Sequence, residues 1–411
     1  MAPPDSYRVA PYIDAARQLN IPIEVASNGE YSLVSAIASG LHVNFDDAKT
    51  TVDTIVNAAR QQPYNAIVAA DDMVVEIAAR AAQQLGLPHN PPEAVHYTRW
   101  KHKARSRLQS AGLPAPEHQV MALQDIQQGQ RPELAYPCVI KPLNLSASRG
   151  VIRVNNDEEL KTAANTLKPI VALLREAEAR THVLVEQYIE GPEIAVEGFL
   201  RDGRLLPITV FDKPDPLQGP FFEETYYVTP SRHPPELIDR AMNIVELACR
   251  AYGLQTGPVH AELRLHDGEP WIIEIAARTI GGECARLLEY ASGFSLESLV
   301  IQYAMGETPD IGHFTGAAGV LMIPTPRSGI LRRVEGILRA QKVPGIDAVH
   351  IAIREGHELK TLPEGASYLG FMFASGNTPG EVEHALRTSH GELNIVVDPL
   401  WRIEGEPVAV R

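Results

Sequence analysis

The sequence predicts a multidomain protein of the α/β and α+β classes, and three observations support this fold class. Helical and strand patterns alternate regularly up to about residue 96. Strand pairs separated by irregular loops follow up to about residue 315, and strands with two helices fill the remainder. A chain of 411 residues has ample core for two to four packed units. We therefore predict domains at residues 1–96, 97–315 and 316–411.

The composition is that of an ordinary globular protein and excludes several classes of partner. Hydrophobic residues make up 45% of the chain, and the net charge is −14. This charge argues against nucleic acid and gives no reason to expect binding to an anionic membrane. The three cysteines form no CxxC, and no signal segment or membrane-spanning run is seen. We expect a cytoplasmic protein, and a homodimer as the commonest assembly.

The amino-terminal part predicts a doubly wound, parallel α/β domain. The patterns indicate strands at 21–26 and 66–70 and helices at 7–19, 46–60 and 73–85. Such domains normally begin with a strand, yet MAPPDS leads directly into a helix. Either the first strand is lacking or the start is internal to a longer frame, and we expect an abbreviated domain. There is no G-x-G-x-x-G motif, so a dinucleotide site is not expected.

A strand that leads into a loop of small residues is a candidate phosphate site. The strand runs from Cys138 to Lys141, and the loop contains Ser146, Ser148 and Gly150. Small side chains let backbone N–H groups cradle phosphate oxygens, and the lysine adds a positive charge. The motif differs from G-x-x-x-x-G-K-[ST], which excludes a P-loop. The preceding segment, residues 98–118, predicts a basic helix that on its own favours a solvated surface.

Two strands around a Glu-Gly-Pro turn are a candidate adenosine site. HVLVEQYI (182–189) and EIAVEGFL (193–200) are separated by residues 190–192. Backbone groups of a strand edge could meet adenine, while Glu193 could accept hydrogen bonds from ribose. A plain hairpin with charged rims explains the same pattern.

Two glutamates are predicted to face each other on a hairpin. HAELRL (260–265) and WIIEIAAR (271–278) read as strands around an Asp-Gly turn. A hairpin symmetric about Gly268 places Glu262 opposite Glu274, and facing carboxylates repel unless a cation lies between them. All-oxygen ligation suits Mg²⁺ with bound phosphates. A solvated polar face is the alternative, although Arg278 and the Gly281-Gly282 turn, which could hold a phosphate, favour the metal site.

The long segment 211–232 is rich in proline, acids and aromatics, and we predict an irregular functional loop. Glu223 and Glu224 could accept hydrogen bonds from a substrate amino group, with Tyr226 and Tyr227 as a stacking face. A solvated lid is an equal alternative.

The last domain is predicted to be α+β. A helix at 293–306 precedes it, and the patterns then indicate strands within 316–331, 349–359, 369–376 and 393–400, with helices at 332–341 and 379–390. Arg327 is the candidate for a carboxylate clamp, and a structural arginine explains it at least as well.

A series of motifs over about residues 90–310 resembles the ATP-grasp superfamily. In order along the chain, these are Lys101, VIKP with Lys141, SASRGV, VEQYIEGPE, and HAEL with IIEIAARTIGG. The resemblance implies ATP held between two lobes, the smaller at about 135–200. It implies that ATP phosphorylates a carboxylate to an acylphosphate, which an amine then attacks. The last domain is similar to those of L-amino-acid ligases and biotin carboxylases.

The resemblance also assigns roles to individual residues. Lys101 and Lys141 would contact the phosphates, Glu193 the ribose, and Arg278 the acylphosphate. Adenine would be lined by Glu186, Gln187, Tyr188 and Ile189. Glu262 and Glu274 would bind Mg²⁺, or Mn²⁺. His260, two residues before Glu262, could assist proton transfer or contact substrate. The family commonly has Asn where this chain has Ala276, so one metal ligand is missing.

We therefore expect an ATP- and Mg²⁺-dependent carboxylate–amine ligase that joins small molecules, most like the L-amino-acid ligases, and releases ADP and phosphate. Two alternatives stay open. One is a carboxylase of the biotin or aminoimidazole-ribonucleotide type, which would use bicarbonate. The other, permitted by Ala276, is a nucleotide-binding sensor or scaffold with weak catalysis.

Overall fold

A computed structural model describes residues 1–4, 6–29, 40–308, 311, 315–365 and 367–400. The described helices are α1 (Val9–Gln18), α2 (Ala48–Gln61), α3 (Val75–Leu85), α4 (Pro92–Arg99), α5 (Lys101–Ser110), α6 (Leu123–Gln127), α7 (Asp157–Val171), α8 (Ala177–Thr181), α9 (Pro235–Tyr252), α10 (Ala285–Ser292), α11 (Leu296–Ala304), α12 (Ile337–Ala340) and α13 (Pro379–Gly391). None of them has the length and apolar character needed to cross a membrane.

The described strands are β1 (Val25–Asn28), β2 (Gly40–Val43), β3 (His118–Ala122), β4 (Cys138–Pro142), β5 (Ile152–Val154), β6 (His182–Gln187), β7 (Glu193–Arg201), β8 (Arg204–Lys213), β9 (Tyr226–Thr229), β10 (Gly257–His266), β11 (Glu269–Ala276), β12 (Ala317–Ile323), β13 (Gly329–Glu335), β14 (Ile346–Ile351), β15 (Glu358–Leu359), β16 (Gly370–Gly376) and β17 (Asn394–Asp398).

The largest sheet is antiparallel and has the strand order β11-β10-β7-β8-β9-β12-β16-β14. Its interior strands are buried on both faces: α9 and α13 pack against one face, and α1, α10 and α11 pack against the other. The sheet continues across residue 316, since β12, β14 and β16 join strands from the middle of the chain. The predicted boundary there separates stretches of sequence that share one sheet.

A second, four-stranded antiparallel sheet has the order β3-β6-β4-β5. Helix α7 covers it with an apolar face formed by Leu160, Ala163, Ala164 and Leu167, which recur at helical spacing. Strands β6 and β7 follow each other in sequence but lie in different sheets, so they do not form a hairpin. The turn between them thus carries the chain from the small sheet to the large one.

The amino-terminal region agrees with the prediction only in part. The helices occur where expected, and β1 pairs with β2 in parallel. The predicted strand at 66–70 is wrong, because this segment is extended but forms no ladder. Met1 lies beside it, with its amino group donating to the Val68 carbonyl at 2.7 Å, and Ala2 N–H donates to Ala26 O at 3.2 Å. Met1 and Ala2 thus contact both this segment and β1.

The helix predicted at 332–341 is also wrong over most of its length. Residues up to Glu335 belong to β13, which pairs with β15 and β17, and only α12 is helical. Gly336 separates the two elements with a φ of 87°, and a Cβ there would lie 1.9 Å from the Glu392 carbonyl oxygen. A positive φ with no room for a side chain breaks the helical pattern.

The segment 211–232 is less irregular than predicted. Strand β8 extends through Lys213, and β9 inserts residues 226–229 into the large sheet. Tyr226 and Tyr227 are buried there, so they form no exposed stacking face. The part between the two strands and residues 230–232 lie outside regular secondary structure.

Candidate active site

The predicted facing glutamates are confirmed. Strands β10 and β11 pair with Glu262 opposite Glu274, and an irregularity directly after Glu262 shifts the later register. A carboxylate oxygen of Glu274 accepts a hydrogen bond from Lys101 Nζ at 2.6 Å. Strand β11 ends at Ala276, so Arg278 lies beyond the strand and not on its face.

Glu262 belongs to a group of three carboxylates around one lysine, which we call the acidic cluster: Glu193, Glu224, Glu262 and Lys213. Lys213 Nζ lies 2.6 Å from Glu193, 2.8 Å from Glu224 and 3.0 Å from Glu262. One oxygen from each glutamate lies within 4.8 Å of the others. Glu193 is placed by its cross-strand pairing with Lys213, and its second oxygen accepts from Arg264 Nε at 3.1 Å.

The charged groups of the acidic cluster shift each other's pKa values strongly. Burial alone would lower the pKa of Lys213, but the three carboxylates raise it well above its usual value. Burial raises the pKa of Glu224 despite Lys213, and the negative charge of Glu262 adds to the rise. Burial would also raise the pKa of Glu262, but Lys213 and His260 hold it well below normal. Close oxygen atoms with excess negative charge are the donor set that Mg²⁺ uses.

A second group of charged residues has more cations than carboxylates, and we call it the basic cluster: Arg105, Lys141 and Glu186. The Glu186 carboxylate accepts from Arg105 Nε at 2.9 Å and lies 2.5 Å from Lys141 Nζ. Arg105 also donates to the Ile273 carbonyl of β11 at 2.5 Å, which links the cluster to the large sheet. Helix α5 is therefore not a solvated surface helix, because Lys101, His102 and Arg105 are buried, while Arg107 is exposed.

Burial sets the ionisation of the basic cluster. It lowers the pKa of Lys141 to about 8, although Glu186 opposes the shift. Burial alone would raise the pKa of Glu186, but Arg105 and Lys141 hold it at about 2. At neutral pH the cluster thus keeps two cations against one carboxylate.

The loop of small residues meets the amino-terminal region through Asp72. Ser146 donates to Asp72 Oδ2 at 2.9 Å, and Arg278 donates to both Asp72 oxygens at 3.0 and 2.7 Å. Ser148 and Gly150 have φ angles of 53° and 75°. A Cβ on Gly150 would lie 2.8 Å from the Leu167 side chain, so glycine is required there. The Gly150 N–H donates to Pro363 O at 3.2 Å and is not directed at an open site.

The predicted adenine segment lies between the two sheets and is firmly held. The N–H groups of Gln187 and Tyr188 donate to Glu117 O at 2.8 Å and Pro137 O at 3.4 Å. The Tyr188 ring is covered by Arg153 and Arg264 at 4.4 and 5.2 Å. Arg264 also donates to the Ile189 carbonyl at 3.0 Å.

His260 lies between two carboxylates. Its Nδ1 is 2.9 Å from Glu197, which is fully buried and also accepts from Ile280 N–H at 3.1 Å. Its Nε2 is 3.5 Å from Glu262. Burial alone would lower the pKa of His260, but these two partners raise it to about 9. The ring therefore carries a proton at neutral pH and orients Glu262.

The structure brings the candidate substrate residues together only in part. Gly282 N–H donates to the Tyr7 hydroxyl at 2.8 Å, and Gly281 lies beside Arg8. Burial raises the pKa of Glu223, while Glu224 belongs to the acidic cluster. Arg327 donates a hydrogen bond to the Val397 carbonyl of β17, in the three-stranded sheet formed by β15, β13 and β17. This contact agrees with a structural role.

Four residues at the site were missed at the sequence level: Arg105, Lys213, Asp72 and Arg264. Arg105 lies one helical turn after Lys101, and Lys213 continues the alternating pattern of a strand. The sequence pattern could therefore have placed both side chains at the site. Asp72 meets Arg278 across 206 positions of sequence, and no local pattern reports such a contact.

Comparison with known proteins identifies three domains along the chain. A model of the ATP-grasp domain matches residues 134–286, and a model of the ATP-grasp N-terminal domain matches residues 13–89. A model described as L-amino acid ligase C-terminal domain 2 matches residues 321–398. The chain belongs to the ATP-grasp superfamily.

Similar proteins indicate the class of reaction that this ATP-grasp chain catalyses. An L-amino acid ligase from Bacillus licheniformis has a TM-score of 0.82 and 27% identity, covering 94% of this chain and 95% of that one. Alanine–anticapsin ligase from Bacillus subtilis is 26% identical over 61% of this chain, and the match spans 56% of that ligase. On these matches the ATP-grasp chain is an enzyme of the carbon–nitrogen ligase class.

A third match shows likeness of fold alone. The biotin carboxylase domain of 2-oxoglutarate carboxylase from Hydrogenobacter thermophilus, solved with MgADP and bicarbonate, has a TM-score of 0.67 and 20% identity. It covers 95% of this chain and 88% of that one.

Proposed function

We propose that this enzyme activates the carboxylate of one amino acid as an acylphosphate and joins it to the amine of a second, releasing ADP and phosphate. The observation that carries the proposal is that a basic cluster at the four-stranded sheet and an acidic cluster on the large sheet are held near each other, because Arg105 donates to Ile273 and Lys101 to Glu274 of the large sheet. Phosphoryl transfer needs positive groups for the phosphates and carboxylates for a bridging metal, with little covalent chemistry from the protein.

The residues divide this work between them. Lys101, Lys141 and Arg105 would meet the phosphates of ATP. The fit of Mg²⁺ rests on the close oxygens of the acidic cluster, with Glu262 as the central ligand and Glu274 opposite it. When bound, the metal supplies neutralisation of the phosphate charge. The proposed set adds Glu193 and Glu224 as neighbours, which offsets the oxygen missing at Ala276.

Arg278 would neutralise the acylphosphate once Asp72 gives up part of its hold on the guanidinium. Protonated His260 keeps Glu262 in place and is unsuited to accept a proton from the amine at neutral pH. The amine therefore attacks in its neutral form: nitrogen bonds to the acyl carbon, phosphate leaves with the C–O electrons, and the amine proton passes to solvent.

Release of phosphate and ADP from Mg²⁺-ATP against a panel of single and paired amino acids tests this function. We expect release that requires two amino acids and is lost in Glu274→Gln, an isosteric variant without the charge. Release that depends on bicarbonate instead would favour a carboxylase. ATP binding without release in any mixture would favour a sensor.

We also propose a homodimer located in the cytoplasm. Sedimentation of the purified chain at micromolar concentration should give twice the monomer mass of 45.0 kDa. A single species at the monomer mass would contradict the dimer.

A further inference from the structure

Arg8, at the start of α1, is a buried cation beside the Gly281-Gly282 turn. Its side chain belongs to a residue that is only 8% exposed. One terminal nitrogen donates to the carbonyl and the hydroxyl of Thr279, both at 3.1 Å. The other lies 3.2 Å from the point that a Cβ on Gly281 would occupy. The guanidinium thus lies against the turn, where any side chain on Gly281 would crowd it.

No carboxylate among the described residues lies within 4 Å of this guanidinium. Of the nearby acids, Asp72 binds Arg278 and Ser146, and Glu197 binds His260 and the Ile280 N–H. Buried Glu297 interacts with Arg8 electrostatically but forms no ion pair with it. A buried guanidinium without a bonded carboxylate is costly, and a ligand carboxylate would complete it. Arg8 therefore has capacity for an anion that the chain itself does not supply.

The position of Arg8 relates this capacity to the reaction. Thr279, its hydrogen-bond partner, directly follows Arg278, the residue expected to neutralise the acylphosphate. On the other side of Thr279, the Ile280 N–H is bound to Glu197, which holds His260 next to Glu262. An anion on Arg8 would thus lie beside the segment that carries Arg278 and that is tied through Glu197 to His260.

We propose that Arg8 and the Gly281-Gly282 turn bind the free carboxylate of the acceptor amino acid, which makes Arg8 a specificity-determining residue for the second step. This rests on the proposed function and adds a positioning residue to it. Arg8 does no chemistry here. Its remaining N–H donors, together with the turn, orient the acceptor so that the amine faces the acyl carbon.

Hydroxylamine separates the two amino-acid sites, because it traps an acylphosphate as a hydroxamate and has no carboxylate. The test measures KM for the acceptor in dipeptide formation and KM for the donor in hydroxamate formation, in wild type and Arg8→Met. We expect the acceptor KM to rise about 30-fold or more, as for loss of a charged hydrogen-bond pair. The donor KM should change by less than about twofold. Acceptors with an amide in place of the carboxylate should be used equally by both proteins.

Two further variants guard against a purely structural effect. Gly281→Ala keeps the arginine but places a Cβ near its free nitrogen, and should also raise the acceptor KM. Arg17→Met removes an exposed arginine from the same helix, bound only to Asp14, and should change neither constant.

The outcomes are distinct. An unchanged acceptor KM in Arg8→Met, with hydroxamate still formed, would overturn the assignment while leaving the proposed function intact. An increase in the donor KM instead would assign Arg8 to the donor and also overturn it. Absence of hydroxamate from the wild type with every carboxylate would refute the proposed function, and this inference would fall with it.

Discussion

The two charged clusters of the site are built from the same residue types but have opposite balance. In the basic cluster two cations, Arg105 and Lys141, share the single carboxylate of Glu186. In the acidic cluster three carboxylates share the ammonium of Lys213, and Arg264 bonds to the second oxygen of Glu193. Protonated His260 lies beside Glu262 but is shared with Glu197, so four carboxylates meet three cations. Each cluster therefore lacks a partner of a particular sign, anionic in one and cationic in the other.

This difference supports our proposal that the clusters are sites for ligands and not structural ion pairs. A structural pair balances its charges, because uncompensated buried charge lowers the free energy of unfolding. Phosphates would complete the basic cluster and a divalent cation the acidic one. The two sites should thus respond differently to removal of a lysine, and four predictions, from the largest effect to the smallest, test this.

The largest effect is expected from Lys213→Met. Removing the ammonium leaves three carboxylates without a shared cation, and we expect a loss of about 3–5 kcal/mol in the free energy of unfolding measured in EDTA. Millimolar Mg²⁺ should restore part of this loss, because it supplies the missing charge. Urea unfolding with and without the metal measures both quantities, with Lys161→Met on the exposed face of α7 as control. Equal stability of the two variants in EDTA would contradict the excess of negative charge.

The opposite response is expected from Lys141→Met. Glu186 keeps Arg105 as its partner, so the free energy of unfolding should hardly change. The affinity for ATP should fall by about 2 kcal/mol, or roughly 30-fold in Kd, because a charged contact to phosphate is lost. Calorimetric titration with ATP gives the affinity, and Lys168→Met serves as the exposed control. An unchanged Kd would place the phosphates elsewhere.

Asp72→Asn should have a smaller effect on stability. The substitution weakens the contacts with Arg278 and Ser146, at a cost of about 1–3 kcal/mol without ligand. Phosphate groups of bound MgATP would then take over the released guanidinium, so MgATP should raise Tm more in this variant than in the wild type. Asp53→Asn, on the exposed face of α2, is the matched control. An identical rise in all three proteins would exclude competition between Asp72 and phosphate.

The smallest effect concerns pH. The pKa of Lys141 is about 8 in the folded chain and 10.5 when unperturbed, so the unfolded chain binds more protons between these values. Stability of the ligand-free protein should therefore rise with pH over this range, while ATP affinity should fall as the lysine loses its charge. In Lys141→Arg, which stays charged, both trends should disappear. Persistence of the affinity loss in that variant would assign it to another group.

The sequence was sufficient for motifs whose residues are close together in the chain. The β10–β11 pairing of Glu262 with Glu274 follows from alternation about a turn, and Lys141 lies at the end of its strand as predicted. The resemblance supplied the superfamily. Local patterns of this kind predict the structure correctly because strand periodicity determines which side chains share a face.

What the sequence could not provide are contacts across long separations and the sheet to which a strand belongs. Arg105 meets Glu186 across 81 positions, and Arg8 meets Thr279 across 271. Lys213 was assigned to a loop because proline and acids dominate its surroundings, although pairing with Glu193 makes it a strand residue. Pairing between distant segments determines these contacts and strand assignments, and the composition of the sequence does not reveal that pairing.

The central claim is that phosphate is transferred from ATP to a carboxylate held between the two clusters. The most direct measurement uses an amino-acid donor with both carboxylate oxygens labelled with oxygen-18, followed by mass analysis of the released phosphate. Acylphosphate formation transfers one labelled oxygen to each phosphate, and Glu262→Gln should release none. Turnover that gives unlabelled phosphate would mean that water, and not the carboxylate, receives the phosphoryl group, and would contradict the account.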